Sequence, residues 1–371
     1  MASTKTAAPP QEGSNSPSAH PHQLEVQEFA SYDLIIDARS PREYEEDHLP
    51  GAINLPVADN DEYAEVGTIH ASDTHRAYLV GVRYSLRNIA QHIDEVIVSH
   101  ARGERFLVYC FRGGKRSRLW ADTLRTIGFK VDVLPGGWTS YRRWVREALE
   151  SLPRSFEYRV LTGPTGCGKT RMLAELRRQG EQVLDLEGLA RHRGSLIGDL
   201  PGQCQPSQKL FDSELLSAMR GFDTARPVWV EAESKKIGEV QLPEALHAAM
   251  HRSPTWNLVV PMEERVRLWR EDYPHFVADP RSMVEKLAPL KPLIGGEELD
   301  RWRELAASNQ TDALFQRVME AHYDPCYARS TRRHYGPAAP RREVQLRGLD
   351  AGGLRGAVAS LIASPTAGGA A

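Results

Sequence analysis

Short apolar runs, each closed by a polar or glycine-rich turn, alternate along the chain with amphipathic helical stretches. Residues 34–36 (Leu-Ile-Ile) end at Asp37, 52–57 form a second extended piece, 106–109 end at Cys110, and 131–134 follow a helical stretch over 117–127. Strand–helix alternation of this kind predicts a parallel α/β sheet. A charged helix over 141–149 runs to Pro153, where the pattern breaks and a domain boundary is expected. It restarts with a strand over 158–161, a glycine-rich turn and a helix, then strands over 182–186, 228–231 and 256–260. Beyond Met262 the pattern is mainly helical to His322. The expected organisation is an extension over 1–28, one α/β domain over 29–153, a second over 154–348 with a helical and basic C-terminal part, and a tail over 349–371.

Composition narrows the classes. With 371 residues, 41% hydrophobic and 26% charged, the chain is long enough for two ordinary globular domains. Residues 1–22 are rich in Ala, Ser, Pro and Thr without an apolar core, which predicts a disordered extension rather than a signal peptide. The small residues from Ser364 onward predict the same at the other end. No run reaches the roughly 18 apolar residues of a membrane span, so no membrane partner is expected. The four cysteines form no CxxC pair, which argues against a disulfide framework or zinc site and fits a reducing cytoplasm. A formal net charge of -2 confines any nucleic-acid site to a local patch.

The densest chemistry follows the strand over 106–109. Cys110 is succeeded by Phe111, Arg112, Gly113, Gly114, Lys115, Arg116 and Ser117 at the start of a helix. Backbone N–H groups and positive charge around one sulfur at a helix N-terminus lower a thiol pKa and bind an anion beside it. Together with Asp37 to Tyr44, His48 to Pro56 and the stretch Leu134-Pro135-Gly136-Gly137-Trp138, this loop resembles a rhodanese domain over about 29–149. The resemblance makes Cys110 the nucleophile and gives Asp37, Arg39, Glu43 and His48 a loop-fixing role. Arg116 stands one position later than the loop arginine of a sulfur-transferring rhodanese. The longer loop leaves room for a tetrahedral oxyanion, with Arg112 and Arg116 forking onto its oxygens, Lys115 adding charge and Gly113 and Gly114 supplying backbone. Cys-x5-Arg is also the spacing of cysteine phosphatases, which place a histidine where Tyr109 stands.

The second half opens on Gly163-Pro164-Thr165-Gly166-Cys167-Gly168-Lys169-Thr170 between a predicted strand and helix, the context a P-loop requires. Gly163, Gly166, Cys167 and Gly168 supply the backbone of a diphosphate cradle, Lys169 reaches terminal oxygens and Thr170 ligates Mg²⁺. Glu231, ending the run Val228-Trp229-Val230, is the candidate second acid for that metal, with Glu233 close by and Asp185 and Glu187 weaker candidates. Residues 189–198, with Arg191, His192, Arg193, Gly194 and Ser195, read as a loop near the phosphates. A P-loop reads phosphates rather than bases, so ATP, GTP or an isoprenyl diphosphate all remain open. Further on, Arg329, Arg332, Arg333, Arg341, Arg342 and Arg347 face only Glu343, with Tyr327 and Tyr335 among them. Basic side chains with interleaved aromatics suit RNA, and Arg332, Arg333, Arg341 and Arg342 are the candidate contacts.

A rhodanese-like domain joined to a P-loop domain, with Asp185 to Ala190, His192 to Ser195 and Val230 to Ser234, resembles the bacterial tRNA 2-selenouridine synthase family over about 29–335. That resemblance implies tRNA as partner, selenophosphate and geranyl diphosphate as co-substrates, and replacement of the sulfur of wobble 2-thiouridine by selenium through an S-geranyl intermediate. Two rival readings are a Cys-x5-Arg phosphatase fused to a P-loop kinase and a non-catalytic tRNA-binding module.

Overall fold

The apolar runs become the strands of two parallel sheets. The computed structural model describes residues 28–334 and 341–363, and the chain divides into two compact units, Met1–Ala148 and Leu149–Ala371.

In the first unit β1 (Leu34–Asp37), α1 (Pro41–Glu46), β2 (Ala52–Asn54), α2 (Asn60–Ser72), α3 (Thr74–Glu95), β3 (Arg105–Tyr109), α4 (Lys115–Ile127), β4 (Lys130–Val133) and α5 (Gly137–Ser151) follow in order. The sheet runs β2-β1-β3-β4, all parallel. Ile36, Phe106, Leu107 and Val108 are fully buried, which is why these strands read as unbroken apolar runs rather than alternating ones. Trp120, Ala121 and Leu124 of α4 pack into the same core. Register puts Asp37 beside Tyr109, so β1 and β3 deliver their C-terminal ends, and the loops after them, to one edge. The helical hairpin α2–α3 between β2 and β3 is an addition that the pattern did not announce. Asp59 and Asp73 cap its helices, and Glu62 ties them by accepting from Asn88 at 2.7 Å and pairing with Arg87.

The second unit contains β5 (Tyr158–Thr162), α6 (Lys169–Arg178), β6 (Gln182–Leu184), α7 (Leu186–Ala190), α8 (Gln208–Arg220) and β7 (Val228–Glu231). A short hairpin of β8 (Lys236–Ile237) and β9 (Val240–Gln241), then α9 (Glu244–His251) and β10 (Thr255–Val259), complete the α/β part. Helices α10 (Met262–Asp272), α11 (Pro274–Ala278), α12 (Pro280–Leu287), α13 (Lys291–Ile294), α14 (Gly296–Ala307), α15 (Thr311–Val318) and α16 (Asp324–His334) follow, with a π-helical turn over Met319–Tyr323. They bury Trp269, Trp302, Leu314 and Phe315 in a core of their own.

Two elements depart from expectation. The basic stretch contains β11 (Arg341–Gln345), which pairs in parallel with β10 and becomes the outer strand of the sheet β11-β10-β5-β7-β6. The expected tail contains α17 (Ala351–Ala363), whose Leu354, Val358 and Leu361 pack with Met172 and Leu173 of α6. The extension over 1–27, Tyr335 and the terminus from Ser364 lie outside the described residues.

Candidate functional sites

Cys110 leaves β3 at the sheet's C-terminal edge and is almost fully buried. The loop that follows is held from both sides. Trp138 and Thr139 of α5 donate backbone N–H to the carbonyls of Cys110 and Phe111 at 2.9 and 3.0 Å. Gly137 sits so close that a Cβ there would collide with the Cys110 carbonyl and lie 2.5 Å from the Gly113 nitrogen, at a φ of +56 that itself favours glycine. Beneath the loop Arg39 forks onto Asp37 (2.6–3.1 Å) and donates to the Asp47 carbonyl at 2.5 Å, Tyr109 donates to Asp37 at 2.6 Å, and Trp138 donates to Asp47 at 2.7 Å. These are fully or nearly buried side chains, and the Asp37 carboxylate, the Tyr109 hydroxyl, the Trp138 N–H and Nε and Nη2 of Arg39 are all hydrogen-bonded, as low dielectric demands. Asp37 and Arg39 therefore support the loop from below without reaching the sulfur.

The sulfur accepts the Gly114 N–H at 3.3 Å and lies 3.3 Å from the Ser117 hydroxyl. Burial pushes the Cys110 thiol up, but the Ser117 hydroxyl and N–H, the Arg116 charge and the Gly114 N–H outweigh it and hold it below its ordinary value. Ser117, which the spacing argument did not single out, is thus the largest favourable influence on the thiolate. Arg116 does not point an open fork at the anion position. It is paired with Glu43 at 2.8 and 3.4 Å and lies over the Tyr63 ring. Lys115 stands over the Tyr78 ring at 3.5 Å, and Arg112, exposed, is 5.7 Å from the Phe111 ring centre.

In the second unit β5 feeds the glycine-rich loop and α6 begins at Lys169, the strand–loop–helix geometry of a phosphate cradle. The loop is clamped by distant residues. Arg265 of α10, buried, donates to the Thr165 carbonyl at 2.8 and 3.1 Å and forks onto Asp324 at 2.6 and 2.9 Å. Tyr327 meets the Gly163 N–H. Nothing local in the sequence links these positions, which is why the spacing argument missed them.

Lys169 donates to the Gly163 carbonyl at 3.2 Å. Burial works against its charge, yet the surroundings, with Cys167, Glu187 and Glu233 close by, outweigh it and hold the Lys169 pKa above its ordinary value. The Thr170 hydroxyl donates to Glu187 at 2.9 Å. Glu231 accepts the Glu187 N–H at 2.8 Å on one oxygen and leaves its other oxygen buried and without a hydrogen-bond partner. Burial and then repulsion from Glu187 push Glu233 up to about 8, and burial pushes Glu231 well up too. Cys167 is fully buried, and burial pushes its thiol up beyond what Lys169 and Arg265 offset.

A cavity of about 840 Å³ opens over this loop. Its lining includes Lys169, Thr170, Glu187 and Glu233 together with Leu196, Leu268, Trp269, Tyr273 and Tyr323. His192, Arg193, Gly194 and Ser195 from the loop after α7 line it as well, while Arg191 turns aside to pair with Glu214 at 2.9 Å. Among the described residues no cluster of three or more His, Cys, Asp or Glu side chains is arranged to hold a metal by itself.

Of the candidate RNA contacts, Arg341 donates to Asn257 at 3.3 Å and Arg342 lies 5.6 Å from the Trp256 ring centre, both on the outer strand β11. The side chains of Arg332 and Arg333 lie outside the described residues. No described helix is long and apolar enough to cross a membrane.

The rhodanese-like domain family matches residues 22–143, and the family described as the tRNA 2-selenouridine synthase AAA domain matches residues 156–288. A tRNA 2-selenouridine synthase of Marinobacter nauticus is 32% identical over 79% of this chain and 87% of its own. One of Hahella chejuensis is 32% identical over 81% of this chain and 86% of its own. That of Nitrosomonas europaea is 34% identical over 64% of this chain and 63% of its own.

Proposed function

The chain belongs to the tRNA 2-selenouridine synthase family, and on that premise we propose that it converts wobble-position 2-thiouridine to 2-selenouridine in two steps carried by its two sites. In the first, the thiocarbonyl sulfur attacks C1 of geranyl diphosphate over the P-loop, the C–O bond breaks and diphosphate departs toward Lys169. Alkylation turns a poor leaving group into a thioether. In the second, selenophosphate held at the Cys110 loop attacks C2 through its selenium, the C2–S bond breaks and geranyl thiolate leaves, and water then cleaves the P–Se bond to release phosphate and leave 2-selenouridine.

The observation that carries this reading is the pairing of unlike sites: an activated thiol beside helix N–H groups, and a phosphate cradle whose cavity is lined by an ammonium and by several apolar and aromatic side chains among polar ones. A buried ammonium aimed at a developing anion is worth several kcal/mol in such a site. Leu196, Leu268, Tyr273 and Tyr323 in that lining offer a hydrocarbon chain apolar surface to pack against. The phosphatase alternative expects a histidine before the cysteine, where Tyr109 stands and donates to Asp37.

The donors near the P-loop suit a hard cation. Oxygen atoms of Thr170 and Glu187 lie together and a Glu231 oxygen stands without a hydrogen-bond partner, while Mg²⁺ characteristically takes few protein ligands and completes its shell with phosphate and water. Thr170 with Glu187, and Glu231 behind them, would hold it; bound there, Mg²⁺ would neutralise diphosphate charge.

The direct test is competition between geranyl diphosphate and ATP for the full-length protein. Binding of geranyl diphosphate that ATP fails to displace is expected, and preferential ATP binding would return the second unit to a nucleotide-hydrolysing role.

A further inference from the structure

The three cations of the Cys110 loop share one habit. Arg112, Lys115 and Arg116 each lie over an aromatic ring, those of Phe111, Tyr78 and Tyr63, at 5.7, 3.5 and 5.3 Å from the ring centres. All three rings are open to solvent, at 37, 46 and 46% exposure. Two of them come from the inserted hairpin, Tyr63 from α2 and Tyr78 from α3. Tyr84 on the same hairpin shows what a tyrosine kept for the fold looks like. Its hydroxyl donates to Glu65 at 2.7 Å, and Arg83 and Arg87 close on its ring at 4.9 and 5.2 Å. Beyond Tyr78 the exposed residues Leu79, Val82 and Leu86 extend an apolar strip along α3, and from Thr74 to Ile93 that helix carries Arg76, Arg83 and Arg87 but no acid.

We propose that Tyr63 and Tyr78 form a stacking platform that receives unpaired nucleobases of the tRNA anticodon loop at the rim of the Cys110 site. Single-stranded RNA is recognised by stacking its splayed bases on aromatic rings, with cations nearby for the phosphates. Each of the two tyrosines has a cation over its ring and stays about half exposed, and Tyr78 has in addition only an edge contact with His70 at 6.0 Å among the ring contacts described. A duplex offers no such base faces, so the platform selects the loop and leaves the stem to backbone contacts. The proposal rests on the reading that Cys110 acts on the wobble base; a base that reacts beside a nearly buried sulfur must leave its stack, and the rings at the rim replace the neighbours it loses.

The test measures binding of an anticodon stem-loop RNA bearing 2-thiouridine to the full chain, against a fully paired duplex of equal charge. Tyr63→Ala and Tyr78→Ala should each weaken stem-loop binding about tenfold, as loss of one stacked base does. Duplex binding and the slope of log K against log salt should not change, because every cation that meets a phosphate is still in place. Tyr→Trp at either position should restore affinity, which a merely structural role would not require. Wild-type stem-loop affinity in the double alanine variant overturns the platform, and so does equal weakening toward duplex. If the same variant instead changes the protein's mass in light scattering at unchanged RNA affinity, the face is a protein contact and the proposal falls. The tyrosine dependence is measured again in Cys110→Ala. If that variant still makes 2-selenouridine while the tyrosine dependence persists, the reading of Cys110 fails and the platform stands.

Discussion

Cys110 and Cys167 stand at matching places in two unrelated loops. Each follows a central parallel strand, sits among glycines, precedes a helix that begins with lysine, and is almost wholly buried. Burial pushes both thiols up, and the outcomes diverge on what else touches the sulfur. Cys110 receives the Gly114 N–H and the Ser117 hydroxyl and feels Arg116, and ends below its ordinary value. At Cys167 the charges of Lys169 and Arg265 and the backbone N–H groups of Lys169 and Cys167 together fall short of offsetting complete burial, and the thiol ends above its ordinary value. A cysteine in a glycine-rich, lysine-bearing turn is therefore not reactive by motif; the balance between burial and the donors and charges around the sulfur decides it. The Cys167 sulfur is fully buried and belongs to the core cluster with Met172 and Leu173.

Exchanging the two sulfurs for methyl groups should separate the loops most sharply. Cys110→Ala should abolish 2-selenouridine formation, since no other activated nucleophile serves that site, whereas Cys167→Ala should keep most of it. Nucleoside mass spectrometry of tRNA after incubation with each variant reads both. Loss of activity in both variants at intact fold would dissolve the contrast.

Lys169→Ala should slow geranyl transfer to 2-thiouridine tRNA by about 10²–10³, or roughly 2.7–4 kcal/mol, the scale of removing one preorganised charge from a developing anion. Turnover at saturating geranyl diphosphate is the quantity to measure, and unchanged turnover would put alkylation elsewhere.

A smaller effect is expected on the thiol itself. The folded pKa of Cys110 lies below that of an unfolded cysteine, so alkylation by iodoacetamide should set in at lower pH than for a model thiol. Ser117→Ala removes the largest stabilising partner and should move that midpoint upward. Cys167 should stay unmodified across the same range until the protein unfolds. A midpoint that ignores Ser117 would leave the activation of Cys110 without its cause.

The smallest effect concerns RNA. Neutralising Arg341 and Arg342 together with Arg332 and Arg333 should flatten the dependence of log K for tRNA on log salt by roughly 0.7 to 0.9 for each phosphate that the variant leaves unneutralised. Arg341 and Arg342 also rest against Asn257 and Trp256, so thermal unfolding of the variant should be followed alongside. Unchanged slope and affinity would make β11 an edge strand and nothing more.

How much of this was legible in the chain depended on whether the signal was local. Strands such as Phe106 to Tyr109 and Val228 to Glu231 announced themselves because parallel strands are buried on both faces. The two loops announced themselves through glycine and charge. The hairpin α2–α3 did not, because it buries little beyond Glu62, Ala77, Ser85 and Ile89 and its exposed apolar face blurs the helical period. Arg341-Arg342-Glu343-Val344-Gln345 read as a charge run because an outer strand with a wet face needs few apolar residues. In α17 the spacing of Leu354, Val358 and Leu361 was present, hidden among Ala and Gly. The clamp of Arg265 and Asp324 on Thr165, and the meeting of Thr170 with Glu187, arise only when distant segments fold together.

The central claim is that alkylation belongs to the P-loop and selenium delivery to the Cys110 loop. The most direct measurement supplies tRNA already carrying S-geranyl-2-thiouridine, with selenophosphate, to Lys169→Ala and to Cys110→Ala. The Lys169 variant should form 2-selenouridine at near the wild-type rate and the Cys110 variant should form none. Conversion by the Cys110 variant, or its failure in the Lys169 variant with an intact fold, would contradict the division.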